Sequence, residues 1–303
     1  MKKLPLPQVI RIEPSALCNF NCIHCTTGLR LNPSIGIMAK EVFDTIFEKI
    51  KNCRFRAAVL YHGGEPLLNK NLFYFIEKMK TVSDFIKTVS NGSLLDGETI
   101  KKIVSSPLDV IEFSLDGTSS KENDSIRKGG NFAKISKQIK NLCDLIKKSK
   151  SKLKIYISNI QIPTQSTDTT KIEVPQYLKN AFKDHLDLLT FRSYYSIYWP
   201  GYPQLTKSSA VPVNNYCDHV FSTITVRWNG DIVACCHDLI SMMVLGNLLK
   251  ENLQDIWNNK SYTALRKAIA DKNPPEMCRG CNVLNKERYL LKDELEAITN
   301  LKK

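Results

Sequence analysis

Between residues 8 and about 195, short β-like runs alternate strictly with amphipathic stretches of helical period. The strand candidates fall at 9–13, 57–61, 85–90, 110–115, 153–162 and 188–194. Helical patterns lie between them at 40–51, 71–81, 97–104, 132–148 and 175–184. Such alternation predicts a parallel sheet with helices packed outside it. Six units suit an open or partial barrel better than a closed eight-fold one, so the expected α/β fold is a partial (β/α)6 TIM-like barrel. In parallel α/β architectures the chemistry sits at the carboxyl ends of the strands. The segments leaving those ends are therefore the ones to read for function.

Residues 196–216 change character: Tyr, Pro, Ser and Asn dominate, with Trp199-Pro200-Gly201-Tyr202-Pro203 in the middle. They read as a linker between a barrel over 1–195 and a small α+β unit over 217–303. That unit opens with a hairpin, 222–227 and 231–235, turned by Asn229-Gly230. Asn-Gly is a strong hairpin signal because a two-residue turn needs positive φ at both central positions. Helical patterns follow at 253–258 and 262–270, and a last amphipathic helix is expected from 286 to the end.

With 303 residues, 43% of them hydrophobic, the chain can bury a core without disulfides. It has no apolar run of membrane-spanning length and no secretory signal, so a cytoplasmic protein with reduced thiols and no membrane partner is expected. The net charge of +13 could suit nucleic acid. The densest basic run, 147–154, contains no aromatic residue for base stacking, so it reads as solvated surface and nucleic acid is not an expected partner.

After the first strand comes Cys18-Asn19-Phe20-Asn21-Cys22-Ile23-His24-Cys25. Three thiols so close in sequence converge on one centre only if the backbone wraps around it. Soft thiolates favour zinc or an iron–sulfur cluster. Structural zinc wants four closed ligands, which a borrowed residue such as His24 could complete. A four-iron cluster held by three thiolates instead leaves one iron open to a small chelating molecule. Strand two runs into Tyr61-His62-Gly63-Gly64-Glu65-Pro66, where paired glycines allow close backbone approach and Glu65 offers an acceptor to a cation. Strand three ends in Ser90-Asn91-Gly92, and strand four in Ser114-Leu115-Asp116-Gly117 with Arg127 downstream.

Spacing and placement together resemble the radical S-adenosylmethionine (SAM) superfamily, whose signature is Cys-x3-Cys-x2-Cys after the first barrel strand. The resemblance implies that Cys18, Cys22 and Cys25 hold a SAM-binding [4Fe–4S] cluster. It implies that Gly63-Gly64-Glu65 receives the SAM amino group, while the strand-four segment, Ser114 to Asp116, and Arg127 hold its carboxylate. His24 occupies a slot often aromatic in that superfamily, near the adenine. Asn91 belongs to a turn common there, and Gln161 or Asn159 on strand five is a candidate for the ribose.

A second constellation, Cys217, Cys235, Cys278 and Cys281, resembles the SPASM and twitch auxiliary-cluster extensions of that superfamily. Gly246-Asn247-Leu248, Ile256-Trp257 and Arg266 add to the likeness. Full SPASM domains carry three further cysteines, and none follows Cys281. A twitch or shortened SPASM domain with one auxiliary [4Fe–4S] cluster is implied; four-cysteine zinc is the alternative. Cys53 and Cys143 fall in helical patterns and read as buried apolar residues. Cys236 adjoins a presumed ligand and, by strand alternation, faces away from it. It is a candidate spare ligand or hydrogen donor to a substrate radical.

The resemblance implies reductive cleavage of SAM to a 5′-deoxyadenosyl radical, which abstracts hydrogen from a substrate. The expected substrate is a small molecule, sugar or aminocyclitol-like, undergoing dehydrogenation or epimerisation, with a flavodoxin or ferredoxin as reductant. One rival is a maturase that crosslinks or epimerises a ribosomal peptide. No leader-recognition domain fits before strand one, so a separate recognition protein would be needed. An RNA-modifying enzyme and a non-enzymatic iron–sulfur carrier are the other readings. Tyr194, Tyr195, Tyr198 and Trp199 are candidates for the substrate pocket.

Overall fold

The computed structural model describes residues 3–162, 171–196, 214–281 and 284. Six strands pair in chain order, all parallel. They are β1 (Val9–Ile12), β2 (Phe55–Val59), β3 (Ser83–Ser90), β4 (Val110–Ser114), β5 (Lys154–Gln161) and β6 (Leu189–Tyr195). The connections carry α1 (Lys40–Ile50), α2 (Leu72–Lys80), α3 (Gly97–Ser105), α4 (Ser120–Ile126), α5 (Phe132–Ser149) and α6 (Gln176–Ala181). This is the expected partial barrel, with strand bounds within a few residues of those read from the sequence. All four residues of β1 are buried because both faces of a central parallel strand are covered.

Helix α4 is missing from the sequence reading. Six of its seven residues are polar, so it has no apolar stripe to reveal it. Capping holds it instead: Ser119 Oγ accepts from Glu122 N at 3.2 Å, and Asn123 Oδ1 accepts from Asp116 N at 2.8 Å. Cys143 is buried in α5 as expected, whereas Cys53 lies beyond the end of α1 and is half-buried.

Alternate strand residues face opposite ways. Ile10, Ile12, Ala58, Ile86, Ile111, Phe113, Ile155 and Ile157 join the core under the helices. On the other face Val9, Ala57, Val59, Phe85, Val110 and Tyr156 form a separate cluster with Tyr61. One pleat further along, that inner face carries charge. Lys87 Nζ and Glu112 Oε2 pair at 2.7 Å, the Arg11 guanidinium lies 5.1 Å from the centre of the Tyr61 ring, and Arg192 lies 4.3 Å from that of Tyr156.

The second unit adds β7 (Thr223–Val226), β8 (Asp231–Val233) and β9 (Val244–Asn247), with α7 (Asp218–Phe221), α8 (Leu253–Trp257), α9 (Lys260–Ala270) and α10 (Glu276–Arg279). β7 pairs in parallel with β1, and β8 and β9 follow antiparallel, giving one nine-stranded sheet. The unit thereby covers the β1 edge that an open barrel would leave unpaired. Arg266, buried in α9, donates to Val220 O at 3.2 Å and Trp257 O at 2.6 Å, and its guanidinium lies 4.0 Å from the Trp257 ring centre. One side chain thus ties α7, α8 and α9 together.

The hairpin exists, but its turn differs from the one expected. Only Gly230 has positive φ, at +84°. Gly230 N donates to Arg227 O at 2.9 Å, and Arg227 N to Asp231 O at 2.8 Å. This is a three-residue loop, with the left-handed glycine closing it as a bulge. The strand after it also ends early, at Val233, where the register with β9 shifts. Cys235 and Cys236 therefore sit in a bend beyond the strand, and alternation does not set their directions. Tyr198, Trp199, most of the 196–216 linker and the helix expected from 286 lie outside the described residues. Among the described residues no helix is long and apolar enough to cross a membrane.

Candidate active site

The cysteine loop leaves β1 and is pinned at its far side, where Asn21 N donates to Lys128 O at 2.8 Å and Ile23 N to Ile126 O at 3.0 Å. It is wound so tightly that a Cβ on Gly28 would lie 2.5 Å from Cys22 N, and one on Gly64 2.2 Å from Leu17 O. The sequence reading gave the paired glycines to a ligand. In the structure Gly64 also lets the backbone leading into the cysteine loop pass close by.

Cys18, Cys22 and Cys25 converge closely enough that Cys25 raises the pKa of both others. Burial is the larger cause, and it pushes Cys22 up to about 12 against the opposing charge of Arg127. Thiols in this state need a cation before they give up their protons, and a metal supplies it. The donor set, three soft thiols with two half-buried, fits a cluster with one open side.

Polar groups ring that side. Glu65 is fully buried; its carboxylate accepts from Asn91 N at 2.7 Å, Ser90 Oγ at 2.9 Å and Leu67 N at 3.0 Å. Burial outweighs these bonds and raises its pKa. Asn91 Nδ2 donates to Asn19 Oδ1 at 2.8 Å and lies 3.9 Å from Cys18 Sγ. Arg127 caps the end of α4, pairs through Nε with Asp116 Oδ2 at 2.7 Å and places NH1 3.9 Å from Cys22 Sγ. His24 Nε2 lies 3.6 Å from the same Asp116 oxygen, and burial lowers its pKa. Ser114 Oγ, at the end of β4, is 3.5 Å from Ser158 Oγ within β5. On β5, Asn159 Nδ2 donates to Leu115 O and Gly117 O at 2.8 Å each, and Gln161 Nε2 to Glu173 O at 2.9 Å.

One positioning residue escaped the sequence reading. Glu13, at the carboxyl end of β1, is wholly buried and accepts from Gly63 N at 3.0 Å, Arg227 Nε at 3.0 Å and Trp228 N at 3.2 Å. His62 Nδ1 is also 3.0 Å away. Burial alone would raise its pKa, but His62 first, then Arg227 and Trp228 N–H, bring it down to about 2. Glu13 therefore locks the Gly63 loop to the hairpin of the second unit. Its signal was an acidic residue at the end of a strand whose four residues are all buried.

Cys217, Cys235, Cys278 and Cys281 are drawn together from three places in the chain, and all are buried. Cys278 and Cys281 both act on Cys217 and Cys235, and burial first of all holds these two thiols well above their ordinary range. Beside them Cys236 Sγ stands 3.5 Å from His219 Nδ1, and the rings of His219 and His237 are 5.3 Å apart. Burial opposes ionisation of Cys236, but His219, His237 and Arg11 outweigh it and hold the thiol well below its ordinary range.

Residues 12–159 match the radical SAM superfamily, and residues 217–282 match the SPASM iron–sulfur cluster-binding domain. The chain belongs to the radical SAM superfamily. It is an enzyme whose cofactors are SAM and [4Fe–4S] clusters, and both converged cysteine sets have the soft donors those clusters need. This radical SAM protein is 21% identical to the S-adenosyl-L-methionine-dependent 2-deoxy-scyllo-inosamine dehydrogenase of Niallia circulans, over 93% of its own length and 96% of the relative's. It is 28% identical to the GTP 3′,8-cyclase of Desulforamulus reducens, over 45% of its length and 42% of the relative's. Among solved structures, BtrN in complex with AdoMet and 2-DOIA superposes with TM-score 0.64 at 18% identity, covering 94% of this chain and 98% of that one. Streptococcus suis SuiB bound to S-adenosylmethionine gives TM-score 0.58 at 18% identity, covering 98% and 75%. At such identities the superpositions establish the fold.

Proposed function

We propose that this radical SAM enzyme removes hydrogen from a hydroxyl-bearing small molecule of the sugar or aminocyclitol class, oxidising an alcohol to a ketone. The observation that carries this reading is the closed set of four buried thiols, Cys217, Cys235, Cys278 and Cys281, beside the open set. When bound, the two clusters supply the electron that cleaves SAM to methionine and a 5′-deoxyadenosyl radical, and accept the one that alcohol oxidation releases. A relative matched over nearly the whole chain is a 2-deoxy-scyllo-inosamine dehydrogenase, which supports the same class.

The residues around the open set take the following roles. Glu65, held by Ser90 and Asn91, receives the SAM ammonium; its raised pKa marks a buried acid waiting for a cation. Arg127 and Ser114 take the SAM carboxylate, a guanidinium fork matching a carboxylate in geometry. Asp116 fixes Arg127 in place and His24, kept neutral by burial, packs near the adenine. Gln161 is assigned to the ribose. The inner barrel wall of Arg11, Lys87, Glu112, Tyr156 and Arg192 offers hydroxyl groups the hydrogen-bonding partners that an apolar pocket lacks.

The test is anaerobic incubation of the reconstituted enzyme with SAM and carbon-deuterated sugars and aminocyclitols. Deuterium in 5′-deoxyadenosine and a new carbonyl are expected from one of them. Label transfer only from a precursor peptide would overturn the reading in favour of a maturase.

A further inference from the structure

His219, Cys236 and His237 have no part in the roles above, yet their donor atoms all lie within 4.8 Å of one another. Among the described residues neither cysteine set is gathered so tightly. A cubane needs its sulfurs spread around four irons, whereas a single ion needs its donors close together. Cys236 Sγ lies 3.5 Å from Nδ1 and 3.6 Å from Nε2 of His219. Zinc bonds of about 2.3 Å to sulfur and about 2.0–2.1 Å to nitrogen give a tetrahedral S···N edge of about 3.6 Å. Both nitrogens stand at that edge length, so either one can serve as the ligand atom of His219.

The backbone fixes this arrangement. His219 sits on α7, one residue beyond the start of that helix. Cys236 and His237 lie in the turn closed by Asp238 N donating to Cys235 O at 3.2 Å, and the buried Asp238 carboxylate anchors the segment after it, accepting from Met242 N at 2.7 Å and Met243 N at 3.0 Å. Both histidines are buried and Cys236 is half-buried, so the trio is shielded on all but one side.

We propose that His219, Cys236 and His237 form a mononuclear zinc site next to the auxiliary cluster. One thiolate and two imidazoles are borderline-soft donors, which select zinc over magnesium or calcium. Three protein ligands leave the fourth position open, as in zinc centres that bind a water or substrate oxygen. Charge also balances. Zinc with one thiolate carries about one positive charge, and a four-thiolate cluster beside it carries about two negative ones. The proposal rests on Cys217, Cys235, Cys278 and Cys281 being that cluster's ligands and does not depend on the substrate. It replaces the hydrogen-donor role read from the sequence for Cys236, since a metal-bound thiolate has no S–H hydrogen to release.

The test uses the enzyme with both clusters assembled, given one equivalent of zinc chloride anaerobically and then desalted. About one zinc per chain is expected alongside about eight irons. The zinc X-ray absorption edge should show one sulfur and two nitrogens at the distances above. Cys236→Ser and His219→Gln should each lower zinc retention at least tenfold with the iron count unchanged. Zinc washing out of the unaltered enzyme, or remaining equally in both variants, overturns the proposal. Zinc surrounded by four sulfurs, with iron falling towards four, overturns it too, because the ion has then taken a cluster site. Because zinc retention needs no turnover, absent label transfer would overturn the substrate reading alone.

Discussion

Cys18, Cys22 and Cys25 come from one loop of eight consecutive residues, whereas Cys217, Cys235, Cys278 and Cys281 are gathered from a span running from 217 to 281. Two sulfurs of the first set are half-buried; the four residues of the second are all between 8% and 9% exposed. Around the first stand a carboxylate, an ion-paired guanidinium and a strand-end hydroxyl, all suited to a zwitterionic ligand. The second is shut into the core, with Cys236, His219 and His237 as its polar neighbours. A cluster with an open, polar side can bind and cleave a molecule, whereas one shut into the core can only exchange electrons.

The sharpest way to break that contrast is to remove one sulfur from each set. Cys18→Ala should reduce 5′-deoxyadenosine formation at least a thousandfold, measured by chromatography after dithionite reduction. Cys278→Ala should abolish substrate oxidation while dithionite-driven SAM cleavage persists, both variants retaining about four irons per chain. Persistent SAM cleavage in Cys18→Ala would erase the distinction.

Next in size is the ion pair beside the open set. Arg127→Met leaves Asp116 buried without its partner and should cost about 3–5 kcal/mol in denaturant unfolding. The paired Arg127→Met, Asp116→Leu variant should recover part of that loss.

The lock between the two units should show itself as a pH effect. Glu13 is lowered from 4.5 to about 2, so its contribution is present above about pH 5 and is lost as pH falls towards 2. Roughly 3 kcal/mol of stability should disappear over that window. Glu13→Gln should lack this component, and identical unfolding midpoints across pH 2–5 for both proteins would refute it.

The smallest effects separate two glycines. A Cβ on Gly64 would meet two backbone oxygens, at 2.2 and 2.5 Å, while one on Gly97 meets nothing within 4 Å. Gly64→Ala should cost about 1–3 kcal/mol and loosen the cysteine loop, lowering the iron count. Gly97→Ala should stay within about 0.5 kcal/mol of the unaltered chain.

Much of this was legible from the chain alone, for reasons of locality. The six barrel strands and most helices announce themselves through periodicity over a few residues. The first cysteine set is a single loop, so its spacing carries the geometry. What escaped depends on distant partners. Helix α4 is held by caps rather than an apolar stripe, and Glu13 becomes a hub only when Arg227 arrives from 214 positions away. The Asn-Gly hairpin was placed correctly but given the wrong turn, because the dipeptide also suits a three-residue loop closed by glycine. The bend at Cys235 and Cys236 follows from a register shift against β9, a strand the sequence reading did not include.

The parallel pairing of β1 with β7 bears on how the chain is made. Residues 9–12 leave the ribosome well before their second neighbour, 223–226. The segment before β1 waits longer still, since Leu4 N is bonded to Asn258 Oδ1 at 2.9 Å and Trp257 Nε1 to Pro5 O at 2.7 Å. Contacts between such distant positions form slowly. A nascent chain therefore carries an unfinished sheet edge from the emergence of β1 until that of β7, beside the loop proposed to take up iron. Assembly of the first cluster and docking of the C-terminal unit are thus neighbours in space and far apart in time. Expression at low temperature with abundant iron should raise the yield of folded enzyme more than either change alone.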